Sequence, residues 1–383
     1  MLAGAVAGGG FGGAVATTGA AYSKLKGEPG PEPEPLETET AEDYIQGDWG
    51  RGDLKWKPGE DPFTIPDDLP HTVDEAGRVQ IDRENINPDT EGFGYPKLPE
   101  VLKEGDPLLQ DTQQKHAPDG QYTPARTAFH GQIINQSLKG TQPVPEGTKP
   151  VAYLMGGGGA AGKGTLLRTL QDQGVVAKDD AVMVNPDDIK VLIPEHGAIS
   201  RTGDYRSAQT VHEESSDIAN EITNQAIAGR RNLIIDKVMG DEQKGINQIR
   251  KLKDAGYEVK MIGVTVDPAE AMIRALERYY GSGRLPSVPA MVKAHKGFNK
   301  AYEAYAREAD ETALFENTGD VPRMIAGSKQ GKLDIYDDNW YNTARRRGDI
   351  NEQAKTLREL REAADRGRQE GVPGADQEGR GEA

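Results

Sequence analysis

A run of glycines ending in a lysine is the stretch of this chain best equipped for chemistry: Gly156-Gly157-Gly158-Gly159-Ala160-Ala161-Gly162-Lys163-Gly164-Thr165. With almost no side chains in the way, successive backbone N–H groups can turn inward around phosphate oxygens. Lys163 adds a full positive charge, and a helix starting at Gly162 adds the partial charge of its first turn. Residues 157–163 fit the spacing G-x-x-x-x-G-K of a phosphate-binding loop. The next position, ordinarily Ser or Thr for a metal ion, is Gly164, and Thr165 follows one residue later. The site is built for a nucleoside triphosphate, and the phosphate cradle is expected from Gly157 to Thr165.

Moving a phosphoryl group asks for positioned phosphates, neutralised charge and an acceptor for the proton of the attacking hydroxyl. Asp187, in Asn185-Pro186-Asp187-Asp188, reads either as that general base or as a cap of the short helix that follows. Asp236 closes the apolar run Leu233-Ile234-Ile235. It reads as a carboxylate that holds magnesium directly or through water, or as a plain strand-ending residue. Arg278 and Arg284 are planar donors suited to clamping the transferred group, and the glycines around Arg284 would let its loop close. Arg274, one turn before Arg278, reads as an exposed partner of Glu270 or Glu277. His212-Glu213-Glu214 lacks the second histidine of a zinc motif, so Glu213 and Glu214 are expected on a solvated helix face. His295, at helical spacing from Val292 and Phe298, reads as a packed histidine rather than a catalyst.

These residues need a scaffold, and the hydrophobic pattern supplies one. Residues 151–155, 181–184, 232–236 and 259–266 are short apolar runs separated by helical patterns. Alternation of this kind predicts an α/β fold, a parallel sheet with helices on both faces and ligands at the carboxyl ends of the strands. Thr123-Pro124 should start a helix with Phe129, Ile133, Ile134 and Leu138 on one face, stopped by Gly140. Val211, Ser215, Ile218, Ile222 and Ala226 share a face of another, and residues 323–336 suggest a hairpin turning near 327–331. From Asp338 to about Arg368 the pattern is a charged helix.

Composition bounds the rest. Of 383 residues, 47 are Gly and 24 Pro, many of them before residue 122. The expected organisation is a long low-complexity extension over 1–121, one kinase-like domain over 122–340, and a charged helix and tail over 341–383. Pro, Glu, Asp and Gly dominate from Gly27 to about Pro118, which favours extended or disordered chain. Residues 1–21 are poor in Leu and Ile and lack a charged start, so a flexible or packing glycine segment is expected there rather than a signal or a membrane span. A formal charge of −16 opposes binding to nucleic acid or anionic lipid. There is no cysteine, hence no disulfide framework and no thiolate chemistry.

From about Tyr122 to Tyr336 these motifs, in this order, resemble the zeta toxin family of P-loop kinases, particularly versions from bacteriophage and actinobacterial genomes. The resemblance rests on Gly156 to Thr165, on Asn185-Pro186-Asp187-Asp188-Ile189-Lys190, on Leu233-Ile234-Ile235-Asp236, and on Leu276-Glu277-Arg278 with Gly283-Arg284. It implies a kinase using ATP and Mg2+ that phosphorylates the 3′-hydroxyl of the sugar nucleotide UDP-N-acetylglucosamine. Asp187 would be the base, Lys163, Arg278 and Arg284 the phosphate contacts, Thr165 and Asp236 the metal ligands, and Glu214 or Glu221 the substrate-side glutamate. It also implies a bacterial cytoplasmic setting or a virion, and an antitoxin as partner. The chain's own acidic N-terminal segment could serve instead as a self-inhibitory arm over Lys163, Arg278 and Arg284. Lys237-Val238 stands where the family has Gly-Thr. A kinase with another small-molecule acceptor such as a nucleotide is therefore a second reading. A third, from another class, is a virion or assembly component that binds nucleotide without turnover.

Overall fold

The computed structural model describes residues 65, 69–75, 78–94, 100–176, 180–282, 286–319 and 321–362. The stretch 1–21 and Arg284 lie outside these, so the expectations attached to them are neither met nor missed here.

At the centre is a seven-stranded sheet. Five strands run parallel: β3 (Val151–Gly156), β4 (Ala181–Val184), β5 (Asn232–Asp236), β6 (Glu258–Thr265) and β7 (Glu311–Glu316), in the spatial order β4-β5-β3-β6-β7. Two more, β8 (Arg323–Lys329) and β9 (Lys332–Ile335), extend it antiparallel as the expected hairpin, turning at Gln330-Gly331. The parallel strands are covered on both faces, which is why they read in sequence as continuous apolar runs rather than alternating ones. On one face Leu166, Leu167 and Leu170 of α3 (Lys163–Asp172) and Met272, Ile273 and Leu276 of α9 (Pro268–Ser282) pack on Met155, Ile234 and Ile262. On the other, α7 (His212–Ala228), α8 (Glu242–Asp254) and α10 (Val288–Glu308) bury Ile218, Ile222, Ile249, Leu252, Phe298 and Tyr302 against Leu154, Leu233 and Ile235.

Strand β7 has no clear apolar signature, because Glu311 and Glu316 occupy its ends. Both carboxylates are nonetheless buried, Glu311 beside Lys260 and Glu316 beside Arg347. Those partners are distant in sequence, so the run Glu-Thr-Ala-Leu-Phe-Glu looks more polar than it is.

Helix α2 (Pro124–Leu138) begins as its sequence predicts, with the Thr123 side chain accepting from the Arg126 amide. Upstream, the described chain is packed where composition favours extended or disordered chain. A small hairpin, β1 (His71–Val73) with β2 (Val79–Ile81), lies on α9, where Glu277 accepts from the Ile81 amide at 3.0 Å. Leu69, Val79, Ile81, Ile86 and Phe93 are buried in the same core layer as α9. A few spaced apolar residues suffice to dock this segment, and an average over Pro and Glu conceals them. Further on, α1 (Thr112–His116) and its approach lie on the helices before β5: Leu102 donates its amide to Asp204 at 2.9 Å, and Arg206 donates to the Leu102 carbonyl at 2.7 Å.

The charged C-terminal helix is shorter than its pattern. Helix α11 (Asp338–Arg346) gives way to a 3-10 turn at Arg347–Asp349, where Gly348 lies against the Lys300 backbone and the Arg347 side chain turns inward. Beyond it Ile350, Ala354, Leu357 and Leu360 join the α9 layer, and Arg358 pairs with Asp89 at 2.5 Å. The two ends of the described chain thus meet over one helix. Among the described residues no helix is long and apolar enough to cross a membrane.

Candidate active site

Three connections emerge at the carboxyl edge of the parallel strands, where the order reverses around β3. The first is the glycine loop, which runs from the end of β3 into α3. Its turn requires Gly162, whose φ is 89°. Gly158 allows a different approach: a Cβ there would overlap the imidazole of His295. Among the described residues none accepts a hydrogen bond from the amides of Gly158, Gly159, Ala160 or Gly162. Lys163 Nζ donates to the carbonyls of Gly157 at 3.1 Å and Gly158 at 3.4 Å, and stands 3.7 Å from Asp236 Oδ1. This is a row of unsatisfied donors with an ammonium at its end, the charge pattern of an anion cradle.

The second connection leaves β4. Asn185 caps α4 (Pro186–Lys190) by accepting from the Asp187 amide, so the helix has its cap without needing the Asp187 carboxylate. That side chain is 68% exposed and accepts from Lys190 Nζ at 2.9 Å. Asp188 accepts from Asn185 Nδ2 at 3.1 Å. The third connection is the end of β5, where Asp236 is 17% exposed. Burial raises the pKa of Asp236 above the usual carboxylate value; Lys163 opposes this, and the charges of Asp187 and Asp188 reinforce it. The loop, Asp187 and Asp236 therefore share one electrostatic field in which negative charge is in surplus. A divalent cation fits that surplus. Among the described residues no three His, Cys, Asp or Glu side chains form a cage for it.

The remaining sequence candidates separate. Thr165 is exposed on the first turn of α3, and its hydroxyl accepts from Arg168 Nη2 at 3.2 Å. Arg278 is exposed on α9. Arg274 pairs with Glu270 at 2.8 Å as expected, yet also reaches the loop, its Nη1 3.9 Å from where a Cβ on Gly162 would stand. Glu221 is exposed on α7 and accepts from Gln225 at 2.9 Å.

Glu214 corrects the expectation of a solvated helix face. It is wholly buried, with Arg126 Nη2 donating at 2.8 Å and His130 Nε2 at 2.6 Å. Arg126 also bonds Glu195 at 2.8 Å, and His116 reaches the other oxygen of Glu195 at 2.7 Å. Burial pushes the Glu214 pKa up, but Arg126 and His130 more than offset this and hold it down at about 2. A carboxylate so enclosed is committed to joining α2 to α7, not open to a substrate.

Two loop contacts carried no signal strong enough to single them out as site residues. His295 is fully buried and donates from Nε2 to the Gly159 carbonyl at 2.9 Å, so it is packed as its spacing suggests. Burial lowers its pKa to about 4. Asn317, just past β7, donates from Nδ2 to the Ala161 carbonyl at 2.8 Å.

A sequence model of the zeta toxin family matches residues 134–339, more than half of the chain. The chain belongs to the zeta toxin family. Its P-loop kinase architecture and the loop geometry above agree with that membership. Among curated proteins, a calmodulin calcium-dependent NAD kinase from Arabidopsis thaliana is 25% identical over 260 residues, covering 55% of this chain and 49% of that protein. The chain thus spans about half the length of this relative. Two solved structures are similar at 18% identity. The AvrRxo1-ORF1:AvrRxo1-ORF2 complex with ATP has a TM-score of 0.47, covering 69% of this chain and 81% of that one. The PezAT toxin-antitoxin system of Streptococcus pneumoniae has a TM-score of 0.43, covering 53% and 83%.

Proposed function

We propose that this zeta toxin family member is an ATP- and magnesium-dependent kinase that phosphorylates a hydroxyl of a sugar nucleotide of the UDP-N-acetylglucosamine type. One observation carries the reading: a loop of unsatisfied amides ends in Lys163, 3.7 Å from Asp236, and the charge of Asp187 past the neighbouring strand acts on that same carboxyl. The loop amides and Lys163 would bind the β- and γ-phosphates. Asp187 would take the proton as the acceptor oxygen bonds to the γ-phosphorus and the bond to the ADP oxygen breaks. Arg278, and Arg284 outside the described residues, would neutralise charge on the transferred group. Asp236 would hold magnesium, which supplies further neutralisation when bound.

A second acceptor has its own support. The Arabidopsis relative is an NAD kinase, and NAD, like UDP-N-acetylglucosamine, joins a nucleoside diphosphate to a second ring bearing hydroxyls. ADP release by the full chain should be measured with ATP and magnesium plus either acceptor, using Asp187→Ala as blank. Acceptor-dependent ADP and a phosphorylated acceptor are expected, falling about 100-fold or more in the blank as loss of a general base predicts. Lys163→Ala should abolish ATP binding as well. Turnover with NAD alone would move the assignment to the second acceptor. ATP binding without turnover on either would refute both.

A further inference from the structure

We infer that His295 and Asn317 are positioning residues for the nucleotide, bracing the phosphate loop from its outer side so that its amides stay aimed at the phosphates. This rests on the kinase reading above and adds to it a support for the loop that lies outside the loop's own sequence.

The peptide unit is rigid, so fixing a carbonyl outward fixes the next amide inward. Four loop carbonyls are held by side chains. Those of Gly157 and Gly158 accept from Lys163, that of Gly159 from His295, and that of Ala161 from Asn317. The phosphates of a nucleotide compete with the two carbonyls for the three donors of the Lys163 ammonium. When its ammonium turns to a nucleotide, the Gly157 carbonyl loses its donor and that of Gly158 keeps only the Ala161 amide at 3.4 Å, while His295 and Asn317 remain.

Both residues are placed to act as fixed braces. The His295 ring lies directly under Gly158, so the loop rests on the imidazole as well as bonding to it. His295 Nδ1 is buried without a hydrogen-bond partner, which leaves Nε2 as the protonated nitrogen of the neutral ring. Asn317 Nδ2 occupies the space a Cβ on Gly162 would take.

A single buried residue backs both. Arg347 forms an ion pair with Glu316 and donates to Thr318 Oγ1 at 3.2 Å, gripping the residues on either side of Asn317. It also donates to Thr265 Oγ1 at 2.9 Å; Thr265 bonds Asn299 at 2.7 Å, and Asn299 Nδ2 donates to the His295 carbonyl at 2.7 Å. Arg347 lies beyond residues 134–339, the part that matches the family.

The test uses the full chain and a fluorescent ATP analogue, with steady-state kinetics alongside. His295→Phe keeps a ring under Gly158 but removes the donor; Asn317→Asp keeps the shape and replaces the donor with an acceptor. Each should weaken ATP binding and raise the KM for ATP about tenfold, the scale of one lost buried hydrogen bond. The KM for the acceptor should stay unchanged and kcat within about twofold, since neither residue touches the acceptor. His295→Gln, which can still donate to the Gly159 carbonyl, should recover most of the affinity. Wild-type ATP affinity in Asn317→Asp and His295→Phe would overturn the inference, as would a His295→Gln no better than Phe. Should His295→Phe not fold, Asn317→Asp decides alone. A wild-type chain that binds no ATP would overturn the kinase reading itself, a result distinct from selective loss in the variants.

Discussion

Glu213 and Glu214 are neighbours in the chain with opposite surroundings: the first faces solvent, the second has no exposed surface. The difference lies in Arg126 and His130, one helical turn apart on α2, whose side chains converge on the Glu214 carboxylate. A buried charge survives when its partners are supplied, and losing one partner typically costs about 3–5 kcal/mol. Glu214→Gln should destabilise the fold on that scale by urea titration while leaving chemistry at Asp187 intact. The acid side of the stability profile follows from the same group. The folded-state pKa of Glu214 is held at about 2, below the usual value of 4.5, so its contribution is complete above 4.5 and lost as pH falls toward 2. His295, lowered to about 4 from 6.5, also favours the fold more above its ordinary value, and this is lost as pH falls from 6.5 to 4. Stability should therefore begin to fall below about pH 6.5, and His295→Phe should remove that first part of the decline. No pattern in the sequence joins Arg126 to a residue 88 positions away, which is why Glu214 reads as solvated and even as a substrate contact.

At the level of elements, the parallel strands β3 to β6 and helix α2 were legible because their signals are local: apolar runs of strand length, a Thr-Pro start, a Gly stop. The glycine loop was legible for the same reason, since its function needs consecutive residues of one kind. What holds the loop was not, because His295 and Asn317 reach it from α10 and from the end of β7. Strand β7 and the break after α11 escaped notice because each depends on a charge buried against a distant partner. The contact between loop and α10 is tight enough to be tested by volume. Gly158→Ala should drive its methyl into the His295 ring, lower the melting temperature and weaken nucleotide binding, because packed interiors take extra volume at about 1–3 kcal/mol. Adding His295→Ala should restore stability to Gly158→Ala more than the sum of the single changes allows, by double-mutant cycle. Simple additivity would show that the two do not touch.

Across the whole molecule, segments on both sides of the kinase sheet close over α9. Arg83 pairs with Glu270 and Glu277 at 2.9 and 2.8 Å, while Arg358 ties the far end to Asp89. The Arg83 and Arg358 side chains are exposed enough for water and salt to screen them, so each Arg83 pair should be worth under about 1 kcal/mol and the fully exposed Arg358 pair should add little. Arg347 is different, since its guanidinium is almost entirely enclosed with Glu316. Chemical denaturation should show Arg347→Met losing about 3 kcal/mol or more and Arg83→Met less than about 2, although Arg347 pairs with one glutamate and Arg83 with two. Composition could not reveal this closure. Averaged over a hundred residues, the N-terminal segment is acidic and rich in Pro, and only its few apolar residues at the right positions dock it.

The place of Arg347 in the chain gives that closure an order in time. Its partner Thr265 precedes it by 82 residues. At roughly 5–20 residues per second of synthesis, about 4–16 s separate the two on a ribosome. During that interval His295 and then Asn317 are made, and until Arg347 follows both braces of the phosphate loop lack their common anchor. A firm grip on nucleotide therefore waits for Arg347, and a chain cut short before it should emerge with its loop slack.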